Sequence, residues 1–280
     1  MKPVISIIIP CYNHGKYIQE TLDSIERARG KYLLEVIIVN DGSTDIETIT
    51  VLKNIEEKGY FVINQKNGGL GNARNNGIRI AKGKYILPLD SDNIVEKPYL
   101  NEAIEILETQ LNVDIVYGNA LYFGEKSGGW IVGHYDFESL KRRNYIDACA
   151  VYRKSIWENT GGYDEKMPKM GLEDWDFWIN CSLHQYHFFY LDKFCFSYRV
   201  LKNSMIRQVK HYDLLNILFY LNLKYNNIIS TRTIKLHMYQ YLNNDIVYIQ
   251  NIISLRTIIK ITKNKILTKF KWKRSSNMTE

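Results

Sequence analysis

Apolar residues near the start of the chain fall into two alternating patterns. Val4–Ile9 (broken only by Ser6), Glu35–Val39, Tyr60–Asn64, Lys84–Leu89 and Asp114–Tyr117 are short runs rich in Val, Ile and Leu. The first is ended by Pro10 and the second by Asn40-Asp41-Gly42. Continuous apolar runs of this kind predict strands covered on both faces, as in a parallel sheet. Between them, the spacing of Tyr17, Leu22 and Ile25 and the segments Ile46–Glu57, Leu70–Ala81 and Pro98–Leu111 predict helices. Repetition of strand and helix builds right-handed βαβ units and an open α/β sheet, whose ligands bind at the carboxyl ends of the strands.

From Gly118 to about Arg199 the pattern is mixed. The runs Ile131–Tyr135, Ala148–Tyr152, Phe188–Leu191 and Phe194–Tyr198 read as strands, and 173–184 reads as a helix. After Val209 come helix-like runs rich in Leu, Ile, Asn and Tyr, and neither Gly nor Pro occurs after Gly171. A division near 205 is expected, with 1–205 the α/β domain and 206–280 a helical extension ending in a basic tail.

Composition narrows the class. With 280 residues and 45% hydrophobic content, the chain can bury a sizeable core, and collagenous, disordered and disulfide-scaffold classes are excluded. The four cysteines, Cys11, Cys149, Cys181 and Cys195, are too far apart for a zinc ribbon and fit a reducing compartment. The sequence shows neither a signal-like amino terminus nor an uncharged apolar run long enough to span a bilayer, so a soluble, cytoplasmic protein is expected. The formal charge of +7 is local. Residues 246–280 carry eight basic groups and one acid; taking these from totals of 37 and 30 leaves 29 of each sign in residues 1–245. A neutral body lacks the continuous basic groove that nucleic acid would need, so no nucleic-acid partner is expected. The tail fits an anionic membrane surface or a solvated end equally well.

The polar loops after the predicted strands carry the candidate chemistry. Pro10-Cys11-Tyr12-Asn13 offers a ring and an amide to a planar ligand. Asp41 follows the second strand, with Ser43, Thr44 or Asp45 available to cap the next helix. Asn67-Gly68-Gly69-Leu70-Gly71-Asn72-Ala73-Arg74 follows the third; its glycines admit a close ligand and Arg74 suits a phosphate. Asp90-Ser91-Asp92 follows the fourth, where paired carboxylates suit a hard divalent cation. Taken singly, each loop is ordinary turn chemistry; four in succession point to one crevice.

The segments SIIIPCYN (6–13), VIIVNDGSTD (36–45), NGGLGNARNNG (67–77), GKYILPLDSDN (83–93) and EDWDFW (173–178) together resemble a family 2 glycosyltransferase with the GT-A fold, over roughly residues 3–200. The resemblance implies inverting transfer of a sugar from a nucleotide diphosphate donor with Mn²⁺ or Mg²⁺, the donor a UDP-hexose or UDP-N-acetylhexosamine and the acceptor a glycan or lipid-linked glycan. Carried over, Asp41 would bind the base, Pro10 and Tyr12 would line its ring, and Asn13, Asn67 and Ser91 would complete the donor loops. Arg74 would lie by ribose and phosphates, Asp90 would bind ribose or sugar hydroxyls, and Asp92 would ligate the metal. Asp174 would be the general base, Glu173 its hydroxyl-binding neighbour, and Trp175 and Trp178 candidate acceptor platforms. Two departures stand out: Asn93 replaces a frequent third acid, and Leu201 and Lys202 stand where many relatives carry His, leaving Lys202 or Arg207 to face phosphate. The competing readings are a nucleotide-sugar pyrophosphorylase, which would want a Gly-rich basic loop after strand one, and a noncatalytic glycan- or membrane-binding module, which would not need Asp41, Asp90, Asp92 and Asp174 together.

Overall fold

The computed structural model describes residues 2–202, 204, 209–230 and 232–239. Met1–Ser230 form one compact unit and Thr231–Glu280 a second. In the first, the apolar runs become a core sheet. β1 (Ile5–Cys11) is buried along its whole length, which is why its sequence does not alternate. It pairs in parallel with β2 (Leu34–Asn40) on one side and β4 (Tyr85–Pro88) on the other, and β2 pairs in parallel with β3 (Phe61–Asn64). Helices α1 (Gly15–Ala28), α2 (Ile46–Glu57) and α3 (Leu70–Ile80) link these strands. Leu22 and Ile25 are buried on one face of α1 as their spacing predicts, and Ile18 joins them in place of Tyr17, which is only half-buried.

After the short β5 (Ile94–Val95), α4 (Tyr99–Thr109) leads into β6 (Ile115–Gly124), which pairs with the hairpin strand β7 (Gly128–Trp130). Helix α5 (Phe137–Leu140), strand β8 (Val151–Arg153), helix α6 (Lys154–Thr160) and helix α7 (Glu173–Leu183) precede the long β9 (Phe188–Val200). The sheet runs β3-β2-β1-β4-β8-β6-β9-β5, and β8 is antiparallel to both β4 and β6. One reversed strand therefore separates two parallel groups, and the carboxyl ends of β1–β4, β6 and β9 all meet at the same edge.

The structure differs from the sequence pattern in three places. Phe188–Leu191 and Phe194–Tyr198 are one strand, parallel to β6, with register shifts at Gly118–Asn119, which absorbs Asp192 and Lys193, and at Asn119–Ala120, which absorbs Cys195. Ile131–Tyr135 is irregular, and the strand lies just before it, in β7. The division expected near 205 is followed by α8 (His211–Lys224), which belongs with the first compact unit. Lys224 Nζ there reaches Asp164 Oδ2 at 2.6 Å and both oxygens of the buried Asp176 at 2.8 Å.

Candidate active site

The loops at the carboxyl edge are laced together before any ligand is considered. The sheet ladder continues past the strands through Asp41 N to Cys11 O and Gln65 N to Asn40 O. Asn13 has φ +54, a left-handed conformation that Asn tolerates better than most residues. Its Oδ1 accepts from Thr44 N and Asp45 N, and its Nδ2 donates to Thr44 Oγ1. Asn13 thus joins the first and second loops rather than facing a ligand. Asp45 caps α2 by accepting from Thr48 N at 2.7 Å.

Asp41 is 4% exposed. Its Oδ1 accepts from Gly68 N and Gln65 Nε2, and its Oδ2 from Gly69 N. It shapes the glycine loop and leaves one lone pair of Oδ2 for a ligand N–H. Gly42, at φ +71, is required here because a Cβ would lie 2.6 Å from Asn67 N. Tyr12 stands 45% exposed beside these loops and Asn67 is exposed, whereas Pro10 is buried within β1.

At the end of β4, Asp90-Ser91-Asp92 forms a turn closed by Asn93 N to Asp90 O. Ser91 is buried, and Thr21 of α1 donates to the carbonyls of Ser91 and Asn93, fixing the turn from below. From β9, Arg199 donates its backbone N–H to Asn93 Oδ1 and its Nε–H to the Asp92 carbonyl. Among the described residues the Asp92 carboxylate meets no basic side chain nearer than His14 Nδ1 at 3.9 Å. Burial, then the charge of Asp90, pushes its carboxyl up to about 7.

Arg74 spans the site. Its guanidinium, 2% exposed, pairs with Asp90 Oδ1 at 2.7 Å and with Glu173 Oε1, and lies over the Tyr163 ring at 5.4 Å. Burial works against its charge, but Asp90 and Glu173 more than offset this and hold the guanidinium protonated. Glu173 Oε2 accepts from Gly171 N, so both of its oxygens are used internally. Next to it Asp174, 8% exposed, accepts at Oδ1 from Asn144 Nδ2 at 3.0 Å and Trp175 N at 2.8 Å. Its Oδ2 takes no hydrogen bond among the described residues. Burial, then Glu173 and Asp147, raise its carboxyl well above the ordinary range. Asp147 accepts from Cys149 N and is itself pushed up to about 7 by burial and by Asp90.

The site is therefore a group of five carboxylates, Asp90, Asp92, Asp147, Glu173 and Asp174, crossed by one buried guanidinium. The surplus of negative charge suits a cation, and hard carboxylate oxygens suit Mg²⁺ or Mn²⁺. Among the described residues no three His, Cys, Asp or Glu side chains converge on a metal position. The residues thus fit a cation held by one or two carboxylates and completed by substrate phosphates, with Asp92 the first candidate.

The sequence profile described as "Glycosyl transferase family 2" matches residues 6–178, more than half of the chain. The chain is a family 2 glycosyltransferase. An uncharacterised glycosyltransferase of Methanocaldococcus jannaschii is 28% identical over 71% of this chain and 71% of its own length. The chondroitin synthase of Escherichia coli is 30% identical over 74% of this chain but only 30% of its own length. The chain spans less than two thirds of several of the relatives it matches. Among solved structures, S. aureus TarS in complex with UDP-GlcNAc superposes with a TM-score of 0.64 at 20% identity, over 89% of this chain and 73% of TarS. A mannosyltransferase of Pyrobaculum calidifontis in complex with GDP-Man and Mn²⁺ gives 0.60 at 17% identity, over 98% and 83%. These likenesses confirm the GT-A α/β fold.

Placed in this glycosyltransferase, several expected site residues change role. Trp175 and Trp178 are 2% and 0% exposed, and their indole N–H groups donate to the carbonyls of Leu140 and Ile146. Both are core residues, with no face open to an acceptor sugar. Glu173 is buried, with one oxygen on Arg74 and the other accepting from Gly171 N. Arg74 gives its two terminal nitrogens to Asp90 and Glu173 and so braces the site. Ser91 and Asn13 hold loops. Asn144 and Asp147 were not singled out in the sequence: they lie in an irregular stretch where neither periodicity nor a strand end marks them. Arg207 and the tail 246–280 lie outside the described residues. Among the described residues no helix is long and apolar enough to cross a membrane.

Proposed function

We propose that this glycosyltransferase moves a sugar from a nucleotide diphosphate donor to a hydroxyl of a glycan or lipid-linked glycan, with inversion at the anomeric carbon, in surface polysaccharide synthesis. A UDP-hexose or UDP-N-acetylhexosamine is the donor this reading favours. Relatives named as chondroitin and hyaluronan synthases support a glycan product, and the TarS complex with UDP-GlcNAc supports the donor class.

The observation that carries the reading is Asp174. It sits at the start of α7 with Oδ1 held by Asn144 and Trp175 and with Oδ2 uncommitted. In an inverting step the acceptor oxygen attacks the anomeric carbon from the face opposite the leaving group. The new C–O bond forms as the bond from carbon to the phosphate oxygen breaks, and the hydroxyl proton passes to Asp174 Oδ2. Asn144 orients the carboxylate for that transfer. Asp41, with the exposed Tyr12, receives the base, and Asp90, anchored on Arg74, offers its remaining oxygen to a ribose or sugar hydroxyl. Asp92 would hold Mn²⁺ or Mg²⁺, which when bound offsets charge on the departing diphosphate. The basic tail read from sequence would bring the enzyme to an anionic inner membrane surface, where a lipid-linked acceptor lies.

A panel of nucleotide sugars with and without Mn²⁺ tests this, read by thermal shift and by release of nucleoside diphosphate. One donor should give both signals, and only with the metal. Absence of any shift and any release across UDP, GDP and dTDP sugars would refute it.

A further inference from the structure

Three half-buried aromatics beside the acid group have no part in the account above. Tyr122 of β6 and Trp130 of β7 stack nearly parallel, with ring centroids 5.8 Å apart and planes 4° apart. Tyr198 of β9 meets both edge-on, at 6.1 and 6.0 Å. The arrangement follows from strand register: Tyr122 is paired with Tyr198 across β6 and β9, and Trp130 stands opposite Ala120 across β6 and β7. On alternating strands these positions share one face.

This face is joined to the chemistry. β9 is hydrogen-bonded to the turn holding Asp92, both through the pairing of Ile94 with Ser197 and through Arg199, the residue after Tyr198. The Tyr198 hydroxyl lies in the field of Asp147, Asp90, Asp92 and Asp174, and that of Tyr122 in the field of Asp147. The trio is unlike the core tryptophans. Trp175 and Trp178 are buried with their N–H groups satisfied, whereas Trp130 Nε1 and the hydroxyls of Tyr122 and Tyr198 make no hydrogen bond among the described residues. Lys126 Nζ covers one face of the Tyr122 ring at 3.7 Å, whereas a Cβ at Gly128 would meet nothing within 4 Å, so the room beside the wall lies at the hairpin.

We propose that Tyr122, Trp130 and Tyr198 form the platform for the acceptor's terminal pyranose ring. The inference rests on the glycosyltransferase reading above and names the side of the site that takes the acceptor. A pyranose presents an apolar C–H face and a rim of hydroxyls. Aromatic rings with a wet polar edge match the first, and Asp147, with the unpartnered hydroxyls of the wall, matches the second. It also supplies the sugar-stacking surface that the buried Trp175 and Trp178 do not.

Saturation-transfer NMR tests the platform on the full chain with UDP and Mn²⁺, using the methyl β-glycosides of glucose, galactose and N-acetylglucosamine as probes. At least one glycoside should receive saturation on its ring C–H protons, and the signal should fall about fivefold or more in both Tyr122→Ala and Trp130→Ala. Calorimetric UDP affinity within about twofold of wild type shows that each variant is folded. Lack of saturation from all three glycosides, or equal signals in wild type and variants, overturns the platform. UDP binding without glycoside binding would sink the platform alone. Glycoside binding without nucleotide binding would sink the donor reading and leave the wall as a carbohydrate site.

Discussion

Arg74 and Glu173, ninety-nine residues apart in the chain, form an ion pair in which each side chain is only 2% exposed. Arg74 comes from the helix after the glycine loop and Glu173 opens the helix that bears Asp174, so the pair ties the glycine loop and α3 to the start of α7. Asp90 on the same guanidinium adds the Asp90-Ser91-Asp92 turn to that bond. One residue therefore sets three parts of the site relative to one another.

Removing it should be costly. Taking one partner from a buried pair leaves an uncompensated charge, an effect of about 3–5 kcal/mol, and here two carboxylates lose their cation. Arg74→Met should unfold at much lower urea than wild type. Arg74→Lys should recover only part of the loss, because a single ammonium cannot serve two carboxylates with a planar fork. Equal urea midpoints for Arg74→Met and wild type would contradict the bracing role.

How much of this was legible follows from where each residue sits. Asp41, Asp90, Asp92 and Asp174 lie at strand or helix ends, where a sequence pattern announces a loop and the loop can be ranked by its chemistry. Asn144 and Asp147 occupy an irregular segment whose path is set by packing against α7, so nothing local marks them. The twofold use of Arg74 was hidden for a related reason: a guanidinium in a phosphate-like loop looks the same in sequence whether its partners are ligand or protein. The α/β sheet was readable from its buried strands. The continuity of β9 was not, because Asp192 and Lys193 interrupt its apolar run while a register shift carries the pairing through. The helix-like stretch beyond 209 gave no hint that Lys224 closes onto Asp176.

That closure gives a second expectation. Asp176 is fully buried; burial raises its carboxyl, and Lys224 opposes the rise. Lys224→Met should destabilise the protein by about 3 kcal/mol, and Lys224→Met combined with Asp176→Asn should be closer to wild type. The sign of the pH dependence follows. A carboxyl whose folded pKa is raised favours the fold when protonated, so the single variant should be most stable in acid and lose stability as pH rises through that pKa. Urea midpoints measured from acid to neutral pH check this, and a flat difference would contradict it.

Catalysis should show its own pH signature. The Asp174 carboxyl is raised by burial and by the charges of Glu173 and Asp147, and a protonated base cannot accept the acceptor proton. Transfer should therefore rise with pH along an acid limb. Asp147→Asn removes one like charge, so Asp174 should ionise at lower pH and the limb should move in the acid direction. An unmoved limb in the kcat/KM profile would remove Asp147 from the electrostatics of the base.

The cation has a separate test. Asp92→Ala should weaken nucleotide binding in the presence of Mn²⁺ by at least about tenfold, the lower range for disturbing a metal's surroundings. Binding without metal should change little. Calorimetric titration with UDP in both conditions measures the two values, and an unaltered metal enhancement would assign the cation elsewhere.

If Asp174 takes the acceptor's proton, Asp174→Asn should abolish that step while leaving the site intact, because the amide keeps the shape and loses the basicity. With the active donor and acceptor in hand, single-turnover transfer should fall by about 10²–10⁴-fold, the usual contribution of a positioned base, while calorimetry shows donor affinity close to wild type. Transfer at the wild-type rate would show that Asp174 is not the base.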